Sequence, residues 1–211
     1  MIRRLRATMP TATKRGLART MQAVLVVLIG YGVWVGEPKT VTNGAAALAI
    51  TFAPAVIERN YRVPIDPFLA FWLTTAVFLH TLGSAGLYAS VGWWDHLTHA
   101  TSASIIAAIG YILVRAIDAH HDEIVLPRRF FVVFVVSFVL AFGVLWELFE
   151  YGLDVLAATT GIEMPLAQHG LDDTVKDLVF NSIGALIVGV WGQAYLTGVG
   201  ERALNRLPLD D

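Results

Sequence analysis

The sequence predicts an all-α, polytopic membrane protein, folded as a compact bundle of about six transmembrane helices. Of its 211 residues, 56% are hydrophobic and 15% are charged, and the mean hydropathy is +0.62. This composition is typical of an integral membrane protein rather than of a soluble domain. Apolar segments long enough to cross about 30 Å of hydrocarbon recur along the chain. Cysteine is absent, which excludes disulfides and thiolate metal sites.

Residues 1–20 form a predicted basic cytoplasmic arm, followed by a transmembrane domain at 21–197 and a cytoplasmic tail at 198–211. The arm contains no acid and six basic residues, which are Arg3, Arg4, Arg6, Lys14, Arg15 and Arg19. The next apolar segment has no small-residue cleavage site after a short core, which argues against a secretory signal peptide. A basic arm of this kind also suits the surface of an anionic bilayer.

The predicted transmembrane domain contains six apolar segments, separated by glycine, proline and charged residues. They are Met21–Gly36, Val41–Ile57, Pro67–Tyr88, Trp93–Arg115, Phe130–Tyr151 and Asp173–Leu196. The longest predicted connection, Leu153–Leu171, contains Gly161, Pro165 and Gly170, which are residue types that mark loops. The fifth span is therefore expected to end close to Glu150.

Lysine and arginine are distributed unequally between the two sides of this six-helix arrangement. Thirteen of the 15 basic residues lie on the side of the N-terminal arm, and Lys39 and Lys176 lie on the other side. Because basic residues are enriched in cytoplasmic loops, this asymmetry predicts that both termini are cytoplasmic and that the protein resides in the cytoplasmic (inner) membrane. Adding or removing one helix would destroy the asymmetry.

Small residues recur one turn apart within several spans, as at Ala103 and Ala107 in the fourth and at Ala185 and Gly189 in the sixth. Such spacing lets neighbouring helices approach closely in a bilayer. We interpret these positions as packing surfaces and assign them no chemistry.

Ionisable side chains cluster where the fourth, fifth and sixth spans meet the outer face. Each span carries a pair about one turn apart, namely Asp95 with His99, Glu147 with Glu150, and Asp173 with Asp177. We expect these six side chains to converge in one cavity with Asn181 as its floor. His80 and the Leu153–Leu171 connection, with His169, are expected to cover the opening.

Some of these residues have simpler explanations. Thr174-x-x-Asp177 is a capping-box pattern, and Asp95 is well placed to cap the fourth helix. Glu147 and Glu150 cannot be N-caps, because they follow a long apolar run. An ionised acid inside the membrane costs on the order of 3 kcal/mol, so a group of acids at one depth needs a cation or shared protons.

A mixed carboxylate and imidazole set without cysteine is suited to a divalent metal such as Zn²⁺, Mn²⁺ or Fe²⁺. The predicted metal ligands are Asp95, His99, Glu147 and Asp177. The predicted supporting residues are His80, His96, His169 and Asn181. No H-E-x-x-H zinc motif is present, and protons shared between the carboxyl groups stay an alternative to the metal.

Three motifs resemble the YjdF-like family of multi-pass membrane proteins. They are W-D-H-L-T-H at Trp94–His99, W-E-L-F-E-Y at Trp146–Tyr151 and D-T-V-K-D-L-V-F-N-S-I-G-A at Asp173–Ala185. A fainter similarity to VanZ-like membrane proteins involves Asp95 with His99, Glu147, and Asp177 with Asn181 and Gly184. The sequence departs from that second pattern because it lacks a basic residue before Asp95 and a Gln after Glu147. The YjdF-like resemblance implies a multi-pass fold and no particular activity.

The leading functional hypothesis is a metal-dependent hydrolase that acts on an envelope lipid or a lipid-linked substrate. Glu150 or Asp173 would serve as the general base for a metal-activated water. The alternatives are a proton-coupled transporter and an accessory subunit that docks to partner membrane subunits. Membrane lipid is the expected surrounding partner, and no nucleic acid is expected to bind.

Overall fold

The computed structural model describes residues 10–62, 65–120, 126–162, 164, 166, 169–192 and 196, which fold into helices and the turns that join them. The seven longer helices are α1 (Thr11–Val35), α2 (Pro38–Thr51), α3 (Ala53–Tyr61), α4 (Pro67–Leu82), α5 (Trp94–His120), α6 (Arg128–Thr160) and α7 (Leu171–Ile187). A kinked segment, Gly83–Leu87, in which Gly86 has a non-helical backbone conformation, and a last helical turn, Tyr88–Ser90, follow α4. A π-helical segment, Val188–Gly192, follows α7.

Local sequence signals fix most of the helix ends. Helix α1 stops at Gly36, which adopts the left-handed conformation with φ of +72° that glycine tolerates best. Helix α4 begins with Pro67 in its first turn, and the Asp66 side chain accepts a hydrogen bond from the Phe68 N–H at 2.9 Å. An acidic cap and a proline at the first helical position are common at helix N-termini.

Two groups of three helices make up the bundle. Helices α1, α2 and α4 pack on one another, α5, α6 and α7 form the other group, and α4 contacts α5 to join them. The core of the second group contains the aromatic residues Tyr111 and Phe131 together with many small and branched side chains, which include Ala103, Ala107, Ala108, Val135, Val139 and Ala185. This composition agrees with the predicted close packing of helices through small residues.

The large apolar side chains that face outward are numerous. Trp34 is 82% exposed and Val133 is 64% exposed, which would be costly in water but is expected for helices that face lipid. By length and hydropathy, five helical stretches within the described part of the chain can cross a membrane: Thr11–Val35, Pro38–Tyr61, Pro67–Ser90, Trp94–Asp118 and Arg128–Thr160. The all-helical polytopic fold class is therefore confirmed.

The predicted sixth span, Asp173–Leu196, stays a prediction because part of it lies outside the described residues. Helix α7, which has 17 residues, covers the predicted span from Asp173 to Ile187, and the π-helical segment extends it to Gly192. The predicted tail at 198–211 and the first nine residues of the basic arm also lie outside the described part. The remainder of the arm is helical, since α1 already begins at Thr11.

The predicted start of the loop after the fifth span is wrong, because the helix continues beyond Leu153. Helix α6 has 33 residues and ends at Thr160. The next residue, Gly161, has a φ of +71°, and its N–H donates a hydrogen bond to the carbonyl of Ala157. The predicted Leu153–Leu171 loop therefore begins only at Gly161. As a result, Glu147 and Glu150 lie in the interior of a helix and not at its negative C-terminal end.

Candidate functional site

Three side chains from α5 and α7 meet at one end of the bundle. The Nε2 atom of His99 lies 3.6 Å from Oδ1 of Asp95 and 3.6 Å from Oδ1 of Asp177. One ligand atom from each of the three residues falls within 4.8 Å of the other two. Asp177 is only 3% exposed, whereas Asp95 and His99 are partly buried. We call these three residues the His/Asp cluster.

The position of Asp177 depends on close packing between α5 and α7. Asp95 and His99 lie one turn apart on α5 and share a face. Two turns below Asp177, the backbone of α7 comes so near to α5 that a Cβ on Gly184 would lie 2.3 Å from the carbonyl oxygen of Ala100. Glycine is therefore required for this approach, which brings the Asp177 carboxylate to the imidazole of His99.

Asn181 lies one turn below Asp177 and is also buried. Its side chain packs against Gly143 of α6, where an added Cβ would lie 3.0 Å from the amide nitrogen. Asn181 is therefore buried where α7 contacts α6, and its predicted place at the floor of a cavity stays a prediction.

Glu147 lies beside the His/Asp cluster but outside its three-atom set. It is 7% exposed, and its Oε2 accepts a hydrogen bond of 2.7 Å from the hydroxyl of Thr174. The carboxylates of Glu147 and Asp177 interact electrostatically. Thr174 therefore holds α6 and α7 together and does not cap α7, whose N-cap Gly170 has no side-chain cap.

Two buried carboxylate oxygens have no hydrogen-bond partner in the described part of the chain. They are Oε1 of Glu147 and Oδ1 of Asp177. Lys176, the basic residue nearest in sequence, forms its ion pair with the exposed Asp172. A buried carboxylate without a partner is costly, so each such group calls for an explanation.

The two residues predicted as general bases occupy different environments. Glu150 is half-buried and interacts electrostatically with Glu147, Asp95 and Asp173. Asp173 lies at the rim, with its carboxylate 3.7 Å from Nδ1 of His169. Both carboxylates are partly buried, and the general-base role of either one stays a prediction.

The predicted supporting histidines are divided between the site and its periphery. The ring of His96 stacks on Phe180 at 4.1 Å between centroids, and His169 has a side chain that is 75% exposed. His80 interacts electrostatically with both His99 and Asp95. The structure therefore places His80 close to the cluster, engages His96 with an aromatic ring and leaves His169 at the surface.

Tyr88 is a residue of the site that the sequence interpretation missed. Its hydroxyl lies 2.7 Å from Nδ1 of His80 and donates a hydrogen bond of 3.2 Å to Thr98. The ring of Tyr88 covers Gly83, where an added Cβ would lie 2.4 Å from it. The chain returns through Gly86, whose φ is +133°. The pair of glycines between His80 and Tyr88 was the signal available in the sequence, since glycine permits the backbone conformation and the close approach that this turn requires.

The fold and the polar cluster together define a class, an integral membrane protein with several spanning helices and a His/carboxylate group at one end of its bundle. The chain belongs to the family described as predicted membrane protein (DUF2238), whose profile matches residues 17–198. It is similar to an uncharacterised protein of Thermotoga maritima, with 27% identity over 167 residues that cover 78% of this chain and 75% of the relative. No solved structure matches the chain significantly. The YjdF-like name is compatible with this family and stays a prediction.

Proposed function

We propose that this protein is a metal-dependent membrane hydrolase, which binds a divalent cation at the His/Asp cluster and acts on an envelope lipid or a lipid-linked substrate. One observation carries the proposal: Oδ1 of the buried Asp177 accepts no hydrogen bond from any described residue and lies 3.6 Å from Nε2 of His99. A cation between these atoms would offset the cost of burying the carboxylate.

The distances within the cluster suit a metal of this kind. Ligand atoms held at about 2.0–2.2 Å from one ion are separated by roughly 3.3–3.8 Å in tetrahedral or trigonal geometry. The two separations of 3.6 Å that involve His99 agree with this value. One imidazole and two carboxylates favour Zn²⁺, Mn²⁺ or Fe²⁺ and leave a position for water. We propose Glu147, whose Oε1 accepts no hydrogen bond from a described residue, as a fourth protein ligand, so that the water would occupy a fifth position.

The side chains around the cluster supply the remaining chemistry. The bound cation would lower the pKa of a water molecule. Glu150 would take a proton from that water molecule while the oxygen of the water forms a bond to the acyl carbon or the phosphorus of the substrate ester. The bond to the leaving oxygen then breaks, and Glu150 returns the proton to that oxygen. Tyr88, held by His80 and Thr98, would orient the polar end of the substrate.

Glu150→Gln is expected to keep the bound metal and to lose hydrolysis by at least about 100-fold, the usual contribution of a general base. The assay uses full-length protein loaded with Zn²⁺ or Mn²⁺ in vesicles of phosphatidylethanolamine and phosphatidylglycerol, with lipid products followed by mass spectrometry. Asp154→Asn, one turn further along the same helix, is the matched control and is expected to retain activity. Equal product formation by both variants would contradict the role of Glu150, and pH-dependent ion flux without product would favour a proton-coupled transporter.

We further propose that both termini are cytoplasmic and that the His/Asp cluster faces outward. The unequal distribution of lysine and arginine supports this orientation. Reporter tags at Met1 and Asp211 are expected to report the cytoplasm, and a tag inserted next to Ile162 is expected to report the exterior. A cytoplasmic signal at Ile162 would reverse the orientation of the cluster.

A further inference from the structure

A groove of about 360 Å³ runs between α6 and α7 beside the His/Asp cluster. Its lining combines four apolar side chains with two polar ones, and consists of Val144, Glu147, Leu148, Tyr151, Leu171 and Thr174. The volume lies at the lower end of the range of small-molecule pockets. The groove is therefore large enough for part of a ligand and is mainly apolar.

The walls of this groove open toward the outside of the bundle. Leu148 is 60% exposed, and Tyr151 and Leu171 are also exposed. Glu147 lies roughly 26 Å along α6 from Phe130, at 1.5 Å per residue. If Phe130 marks one boundary of a hydrocarbon layer about 30 Å thick, Glu147 lies near the other boundary. With that boundary, the groove would face the bilayer at the depth where acyl chains join their headgroups.

Glu147 connects the groove to the His/Asp cluster. The residue lines the groove and is 7% exposed. Its carboxylate is held by Thr174 on one oxygen, while the other oxygen accepts no hydrogen bond from the part of the chain that is described. Glu147 also interacts electrostatically with Asp177. A ligand in the groove would therefore have its polar end next to Glu147 and the cluster.

The dimensions of the groove favour one lipid chain over a protein helix. The distance from Val144 to Tyr151 is about two helical turns, or roughly 10 Å. A transmembrane helix of a partner or of a second copy needs a contact surface along about 20 residues and 30 Å. An acyl chain is thinner and fills a short apolar groove, and its ester and headgroup suit the polar pair of Glu147 and Thr174.

We propose that this groove binds one acyl chain of a membrane lipid, which enters sideways from the bilayer and places its ester region at Glu147 and Thr174. In this arrangement the groove selects the substrate, so this inference rests on the proposed hydrolase function. The substrate class is a glycerolipid of the leaflet on the side of the His/Asp cluster.

Photolabelling of the full-length protein in vesicles tests the groove directly. The probe is phosphatidylcholine that carries a diazirine on one acyl chain, and labelled peptides are identified by mass spectrometry. Leu148→Trp and Val144→Phe each fill the groove, and Val133→Trp changes a similarly exposed position on the same helix, outside the groove. Labelling of the wild type is expected to concentrate on residues 144–151 and 171–174. The two filling variants are expected to reduce it about tenfold, and Val133→Trp is expected to leave it unchanged.

Labelling that is equal in all four proteins, or crosslinks between two copies of the chain, would overturn the inference. Size-exclusion profiles show whether each variant folds. Because two filling variants are used, the test still works if one of them does not fold. Metal content is measured on the same samples. Groove labelling without bound metal would refute the metal-dependent hydrolase and leave the lipid site standing, whereas bound metal without groove labelling would refute the lipid site alone.

Discussion

Asp177→Asn is expected to weaken binding of a divalent cation by more than about 100-fold, because replacing residues that merely support a metal ligand already costs 10- to 100-fold in affinity. Asp177 offers the most deeply buried oxygen of the His/Asp cluster, 3.6 Å from His99. An amide oxygen keeps the shape of the side chain and removes the negative charge that attracts the ion. The measurement is a competition titration of the detergent-purified protein against a chromogenic chelator.

Asp172→Asn is the matched control, since Asp172 lies on the same helix but its side chain is 86% exposed and paired with Lys176. It is expected to bind the cation as the wild type does. Without metal, Asp177→Asn is expected to unfold at the same temperature as the wild type or at a higher one, because it removes a buried negative charge that lies among the carboxylates of Asp95, Asp173 and Glu147. Equal cation affinities for Asp177→Asn and the wild type would show that the cluster holds no metal.

Gly184→Ala is expected to destabilise the protein by at least about 1–3 kcal/mol, the usual cost of overpacking. The new Cβ would lie 2.3 Å from the carbonyl oxygen of Ala100 and 3.2 Å from the Cβ of Ala103. The first of these contacts is with backbone, so α5 and α7 must move apart to relieve it. That movement also separates Asp177 from His99 and is expected to lower cation affinity.

Gly152→Ala provides the control for this substitution, because nothing lies within 4 Å of a Cβ at Gly152. Alanine is favoured over glycine inside a helix by about 1 kcal/mol, so this variant is expected to be as stable as the wild type or more so. The melting temperatures of the two variants are measured in detergent, with the loss of the monodisperse size-exclusion peak on heating as the signal of unfolding. Similar melting temperatures for the two variants would contradict the close approach of α5 and α7.

The helical class and most of the spans could be predicted because hydropathy and length determine which segments can cross a bilayer. The length of α6 could not be read in this way. Gly152 and Asp154 weaken a helix without stopping it, and the left-handed residue that ends α6 is Gly161. The presence of glycine does not reveal whether the helix ends at Gly152 or at Gly161, because the end of the helix also depends on how the preceding segment packs.

The candidate site was predictable where it depends on helical periodicity and unpredictable where it depends on the register between helices. Asp95 and His99 share a face because they are four residues apart. His96 follows Asp95 directly, so the same periodicity directs it elsewhere, and it stacks on Phe180. The hydrogen bond from Thr174 to Glu147 joins residues 27 positions apart. Only the packed arrangement of α6 and α7 reveals such a pairing.

The turn that brings Tyr88 to the site shows the same limit. Its return to His80 requires a φ of +133° at Gly86 and a ring placed directly over Gly83. Both conditions concern backbone conformation, and the sequence of this glycine-containing segment is compatible with many other conformations. The residue that completes the hydrogen bonds around His80 was therefore missing from the predicted set.

The central claim is that the His/Asp cluster binds one divalent cation, and elemental analysis of the wild-type protein tests it most directly. The full-length chain is purified in detergent, loaded separately with Zn²⁺, Mn²⁺ and Fe²⁺, and freed of unbound ions by gel filtration. We expect one ion per chain for at least one of the three metals, retained through the column. A protein that stays free of metal after loading with each of them would contradict the claim and leave its buried carboxylates to be explained by shared protons.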